Sequence, residues 1–114
     1  MHELSVTENI LSLVRQYAQN ANARKVTDIY LVIGRLAGII DDSVQFYWDI
    51  LCKDTLCEGS QLHFRHVPAT MLCQDCGNQY TLEKELTPCT VCGSPKVTVI
   101  TGDEFMLESI EIER

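Results

Sequence analysis

Three observations predict an α+β protein: a small three-stranded sheet flanked by two helices, with an inserted zinc-ribbon module that carries four cysteines. The N-terminal half alternates helical and strand-like apolar patterns, and two C-x-x-C pairs follow it. An alternating apolar stretch closes the sequence but has no core of its own, so it is expected to return to an earlier strand. We therefore expect residues 1–68 plus 102–114 to form an α/β domain and residues 69–101 to form a zinc-binding domain.

The first two elements follow from apolar spacing. Apolar residues at intervals of three and four predict a helix from about Ser5 to Ala21, with Ser5 and Glu8 as a capping box at its start. The run Val26–Ile33 is rich in β-branched residues, which predicts a strand covered on both faces or nearly so.

A second helix is expected after the capping residues Asp41–Ser43, with Gly59 as its stop. Alternation then predicts a short strand over residues 62–67 and a last strand over residues 105–113. The last strand is expected to pair with residues 61–67 or with residues 26–33.

The two cysteine pairs are Cys73-Gln-Asp-Cys76 and Cys89-Thr-Val-Cys92, separated by twelve residues and each followed by glycine. A C-x-x-C turn brings two sulfurs together, and two such turns that face each other offer the tetrahedral thiolate set of a structural zinc site. The alternative is two disulfides, which would require an oxidising compartment. The sequence shows no secretion signal, so we expect bound Zn(II) and a cytoplasmic location.

Composition narrows the function classes. The net charge is −7 and the pI is about 4.8, without a basic cluster, which argues against a nucleic-acid partner. No apolar run is long enough to span a membrane, so no membrane partner is expected. The sequence contains no P-loop, nucleophile elbow, dinucleotide fingerprint or HExxH, and nothing in it argues for an enzyme.

The N-terminal residues Met1, His2 and Glu3 form a second candidate metal site. A free α-amine, a peptide nitrogen and the His2 imidazole can chelate one ion, and such nitrogen donors suit Ni(II) or Cu(II). The alternative is an ordinary frayed terminus with a solvated histidine. Asp41 could add a carboxylate, although helix capping is its alternative role.

Together, Met1-His2-Glu3-Leu4, Ile33-Gly34 and the two C-x-x-C pairs resemble the HypA/HybF family over essentially the whole chain. The resemblance implies a metallochaperone that helps insert nickel into [NiFe]-hydrogenase. It implies nickel as transient cargo at Met1, His2 and Glu3, with Asp41 at the place of a carboxylate implicated in some relatives. It implies structural zinc at four residues: Cys73, Cys76, Cys89 and Cys92.

The implied partners are a HypB-type GTPase, the hydrogenase large-subunit precursor and, for some relatives, urease accessory proteins. Many relatives carry histidines beside the cysteine pairs, whereas Gln74, Asp75, Thr90 and Val91 stand here. A zinc-ribbon adaptor that binds protein without delivering metal is the main alternative, and a thiol redox protein is another. The protein is expected to be a monomer or a homodimer, with strand exchange as one route to the dimer.

Overall fold

The computed structural model describes residues 3–82 and 86–114. Within these residues the structure contains two helices and six strands: α1 Glu3–Asn20, β1 Lys25–Gly34, α2 Asp41–Leu51, β2 Gln61–Val67, β3 Ala69–Cys73, β4 Gln79–Leu82, β5 Val97–Thr101 and β6 Phe105–Glu113. They make two three-stranded sheets, with strand orders β2-β1-β6 and β4-β3-β5. The predicted α+β class is confirmed, and β6 pairs with β1, which was one of its two expected partners.

The chain divides into two compact units. The first unit comprises Met1–Val32, Gly38–Arg65 and Met106–Arg114, and the second comprises Ile33–Ala37 and His66–Phe105. The metal-binding cysteines all lie in the second unit.

The core of the first unit is built from both helices and the central strand β1. One face of α1, one face of α2 and most of β1 contribute fully buried side chains: Val14, Ala18, Val26, Ile29, Leu31, Val44 and Trp48. The indole nitrogen of Trp48 donates a 2.8 Å hydrogen bond to the buried hydroxyl of Ser60. This bond satisfies the polar atom of a side chain that would otherwise be costly to bury.

The β2-β1-β6 sheet also carries a polar cluster on β1, β2 and β6. His63 lies 2.8 Å from the carboxylate of Asp28 and stacks on the ring of Tyr30, with ring centroids 4.7 Å apart. The Tyr30 hydroxyl donates a 2.5 Å hydrogen bond to Glu111 on β6. This polar face contrasts with the buried face formed by Ile29, Leu31 and Ile33 of β1.

Three predicted helix boundaries are wrong. The first helix begins at Glu3, so Ser5 lies inside the helix rather than at its cap. In its first turn the Thr7 hydroxyl donates a hydrogen bond to the Glu3 carbonyl. The second helix has Ile40 as its N-cap, and Asp41 lies in its first turn rather than before it.

The second helix also ends at Leu51 instead of running toward Gly59. After it, the Thr55 amide donates to the Cys52 carbonyl over 3.0 Å, and Asp54 has a φ of 63°. A residue in this left-handed conformation cannot continue a right-handed helix.

The second unit has a small apolar core. In the antiparallel β4-β3-β5 sheet, Ala69, Met71 and Leu82 are buried, and Tyr80 and Val97 pack against them. So small a cluster supplies little burial energy, which is typical of modules that a metal helps to fold.

Candidate metal centre

The first cysteine loop is a tight turn that leaves the end of β3. The Gly77 amide donates a 3.0 Å hydrogen bond to the Cys73 carbonyl, and the Cys76 amide lies 3.5 Å from the Cys73 sulfur. Gly77 has a φ of 77°, a conformation that glycine adopts without a steric penalty. The turn therefore presents both sulfurs on one side.

The second cysteine loop, which precedes β5, repeats this geometry. The Gly93 amide donates a 2.9 Å hydrogen bond to the Cys89 carbonyl, and Gly93 has a φ of 74°. The amides of Val91 and Cys92 point at the Cys89 sulfur over 3.4 and 3.5 Å. Gly77 and Gly93 therefore close the two turns in the same left-handed conformation.

The two loops face each other, and their four sulfurs form one cluster. The Cys73 and Cys92 sulfurs are 3.5 Å apart, as are those of Cys76 and Cys89, and all four sulfurs lie within 4.8 Å of one another. Tetrahedral zinc with bonds of about 2.3 Å places its sulfurs roughly 3.8 Å apart. The observed spacing fits such an ion with little movement.

The first cysteine of each loop is the more acidic one. The Cys92 amide, helped by that of Val91, lowers the pKa of Cys89 to about 6 although burial opposes the shift. The Cys76 amide likewise lowers the pKa of Cys73. Thiolate is the form that binds metal, so the backbone amides of each loop favour the ligand form of its first cysteine.

The second cysteine of the first loop behaves differently. The Asn78 amide favours the Cys76 thiolate, but the hydrogen bond to Cys89 and burial outweigh it and raise the pKa of Cys76 to about 12. A bound cation would reverse this preference, since a coordinating thiol is deprotonated outright.

Two of the predicted nickel ligands, Glu3 and Asp41, belong to the first unit. Met1 and His2 lie outside the described residues. Glu3 begins α1 and is 7% exposed, and its carboxylate interacts with the backbone of Ile40. Ile40 immediately precedes Asp41, so two of the candidate carboxylates occupy neighbouring parts of this unit.

The two remaining cysteines are not part of the sulfur cluster. Cys52 and Cys57 are both buried, with 1% and 0% exposure, in the turn region after α2. Their side chains share a hydrogen bond, and that bond and burial raise the pKa of Cys52. They are packed as core thiols.

Sequence reasoning missed three polar residues at the metal centre. The Asn78 amide donates to the Cys89 sulfur over 3.7 Å and to the Thr90 hydroxyl over 3.1 Å, while Ser94 bonds to Asp75. Their signal in the sequence is weak, because each is only a short polar residue within two positions of a cysteine. Their partners are at least eleven residues away and become neighbours only in the fold.

A family model described as hydrogenase/urease nickel incorporation, metallochaperone, hypA matches residues 1–112. The chain belongs to the HypA family. It is 42% identical over 113 residues to the hydrogenase maturation factor HypA of Dehalococcoides mccartyi, covering 99% of this chain and 95% of that protein. It is 44% identical over 113 residues to the HypA of a Nostoc species, covering 99% and 96% of the two proteins.

Solved structures show the same fold. The solution structure of the Ni metallochaperone HypA from Helicobacter pylori superposes with a TM-score of 0.71 at 23% identity and covers 99% of this chain and 98% of that one.

Within residues 3–82 and 86–114, no helix combines the length and apolar character needed to cross a membrane. The chain is thus a member of a nickel metallochaperone family for hydrogenase maturation, with a four-cysteine metal site.

Proposed function

We propose that this protein carries Ni(II) as transient cargo and helps deliver it to the large-subunit precursor of a [NiFe]-hydrogenase, with Zn(II) as a permanent structural ion. The family match over residues 1–112 carries the proposal. The proposed nickel ligands are Met1, His2 and Glu3, with Asp41 as a further candidate. The proposed zinc ligands are Cys73, Cys76, Cys89 and Cys92.

The sulfur cluster supports a structural role for zinc. Four thiolates complete a tetrahedral shell and leave no position for water or another ligand. Two of the cysteines are buried and two are exposed, so the cluster lies at the surface of its loops. A metal held this way organises the second unit, whose own apolar core is small.

The chemistry of the N-terminal residues supports a labile nickel site. An α-amine, an amide nitrogen and an imidazole are donors that Ni(II) prefers. The amine and amide must lose protons to bind, so nickel affinity is expected to fall steeply on acidification. The carboxylate of Glu3 lies near the start of α2, where Asp41 could complete the coordination.

The proposal includes a partner set and a compartment. The partners are a HypB-type GTPase and the hydrogenase precursor, with urease accessory proteins as further candidates because the family description names urease. We place the activity in the cytoplasm, because the cysteine pairs have metal-site spacing and reducing compartments keep such thiols available for metal. The role is metal transfer, not catalysis.

Calorimetric titration tests the nickel site. Zinc-loaded, untagged protein is titrated with Ni(II) beside the variant His2→Ala and the control His66→Ala, which removes an exposed histidine from β2. We expect about one nickel per chain for the parent and the control, and loss of that binding in His2→Ala with zinc retained. Equal nickel binding by all three proteins would place the site elsewhere, and no nickel binding by any of them would favour an adaptor without metal delivery.

Metal analysis tests the zinc site. Cys76→Ser removes one cluster ligand, whereas Cys52→Ala removes a thiol outside the cluster. We expect about one zinc per chain in the parent and in Cys52→Ala, and much weaker retention in Cys76→Ser because three ligands remain. Equal zinc content in all three proteins would contradict the assignment.

A further inference from the structure

The two cysteine loops are joined by side-chain hydrogen bonds that do not involve a metal. The Ser94 hydroxyl, which follows the second loop, donates a 2.5 Å hydrogen bond to the Asp75 carboxylate inside the first loop. The same hydroxyl accepts a 3.1 Å hydrogen bond from the Lys96 amide. Ser94 is 9% exposed and uses its hydroxyl both as donor and as acceptor, so its orientation is fixed.

A second side-chain bridge joins the loops, and this one runs from the first loop to the second. The side-chain amide of Asn78, just after the first loop, donates to the Cys89 sulfur over 3.7 Å and to the Thr90 hydroxyl over 3.1 Å. The backbone carbonyl of Asn78 also accepts a 2.8 Å bond from the Cys73 amide, which anchors the residue to its own loop. Each loop therefore sends one side chain to the other.

These bridges and the metal ion both restrict how far the two cysteine loops can move apart. A metal ion that binds all four sulfurs holds the two loops together across a twelve-residue connection. Bringing the loops together costs chain entropy, which is smaller when other bonds already hold them. The bond between Ser94 and Asp75 is charge-assisted, which makes it the stronger kind.

We propose that Asp75, Ser94 and Asn78 are positioning residues that hold the two cysteine loops in register and so slow the release of zinc. This inference rests on the proposed zinc site. When one sulfur dissociates from the ion, the bridges keep its loop in place, and the sulfur rebinds before the ion escapes. The consequence is that the zinc ion leaves the loops more slowly than it would without the bridges.

Transfer of zinc to a chromogenic chelator, 4-(2-pyridylazo)resorcinol, measures this effect on the full-length, zinc-loaded protein. Asp75→Ala and Ser94→Ala each remove the same bridge, and we expect each to release zinc about tenfold faster than the parent, the lower end of the range for outer-shell partners of metal ligands. The control Val91→Ala lies in the second loop with a side chain that is 72% exposed, and it is expected to match the parent.

Combined variants show whether the residues act as pairs. The double variant of Asp75 and Ser94 is expected to release zinc no faster than either single variant, because one bond is lost in all three. Adding Asn78→Ala to Ser94→Ala is expected to multiply the two effects, since those bridges are separate. Asp75→Asn keeps an acceptor oxygen for Ser94 and is expected to lie closer to the parent than Asp75→Ala does.

The starting metal content separates this inference from the proposed function. If the parent holds about one zinc and the Asp75 and Ser94 variants release it at the rate of Val91→Ala, the positioning role is refuted and the zinc site stands. Multiplying effects in the Asp75 and Ser94 double variant would also refute it. If the parent holds no zinc, the zinc site and the positioning role both fall, and the proposed nickel site is judged by its own titration.

Discussion

Replacing Gly34 by alanine is a test of a close backbone contact in the second unit. Gly34 ends β1, and Gly102 lies in the turn between β5 and β6. The Gly34 amide donates a 2.7 Å bond to the Glu104 carbonyl, and the Leu36 amide donates a 2.5 Å bond to the Gly102 carbonyl. A Cβ at position 34 would lie 2.1 Å from both the carbonyl carbon and the oxygen of Gly102.

The size of the effect follows from this distance. Ordinary van der Waals contact begins at 3.4 Å, so the two backbones would have to separate by about 1.3 Å. No side-chain rotation can relieve the overlap, because the atoms that meet the new methyl group belong to the backbone. Overpacking costs about 1–3 kcal/mol, and a clash with hydrogen-bonded backbone is expected at the upper end, about 3 kcal/mol.

Urea unfolding of zinc-loaded protein, followed by far-UV circular dichroism, measures this loss. With a slope of about 1.5 kcal/mol per M, a loss of about 3 kcal/mol moves the midpoint down by about 2 M. The matched control is Gly38→Ala, where a Cβ would meet nothing within 4 Å but the φ of +70° is strained for alanine. That strain costs about 1–2 kcal/mol, and a loss in Gly34→Ala no larger than in the control would refute the steric argument.

Three further predictions concern the first unit. Trp48→Phe removes a buried hydrogen bond and is expected to lower the free energy of unfolding by about 1–3 kcal/mol; an unchanged urea midpoint would contradict this. The hydrogen bond from His63 lowers the pKa of Asp28. This bond therefore stabilises the fold at pH values above the ordinary aspartate pKa, and the stabilisation is lost as the pH falls through the lowered pKa. Carboxyl NMR titration should find the Asp28 midpoint higher in His63→Ala than in the parent, and equal midpoints would count against the pairing. The hydrogen bond to Glu111 raises the pKa of Tyr30 to about 12. This bond therefore stabilises the fold below about pH 10, and the stabilisation is lost as the pH rises through the pKa of Tyr30 in the folded protein. Absorbance titration of Glu111→Gln should show one tyrosine ionising at lower pH, and identical curves would exclude the effect.

The parts of the fold that could be predicted from sequence are those set by local pattern. The β-branched run of β1 and the alternation of β6 identify both strands, because side chains alternate along any strand whatever its partner. The choice between β1 and β2 as the partner of β6 stayed open, since pairing depends on residues distant in sequence. The end of α2 was missed because Leu51 and Leu56 continue the helical spacing, while the turn at Asp54 is fixed by a conformation that the spacing does not reveal.

At the metal centre, too, local features could be predicted from sequence and long-range contacts could not. Each C-x-x-C turn with its glycine is a local structure, so Cys73, Cys76, Cys89 and Cys92 could be identified as one ligand set from spacing alone. The bridge from Asp75 to Ser94 joins residues nineteen positions apart, and it depends on how the two loops meet. Short polar residues at these positions are equally common in solvent-exposed turns, so their role could be found only from the structure.

Trp48 and the cysteine cluster give the two units separate optical signals. Trp48 is the single tryptophan of the chain, it is fully buried, and it belongs to the first unit. Its emission therefore reports on the unit proposed to hold nickel. The cysteine cluster gives the second unit its own signal, because cobalt substituted at four thiolates would absorb through sulfur-to-metal charge transfer. The folding of the first unit and the metal occupancy of the second can thus be followed in one cuvette, at two wavelengths, without attached dyes.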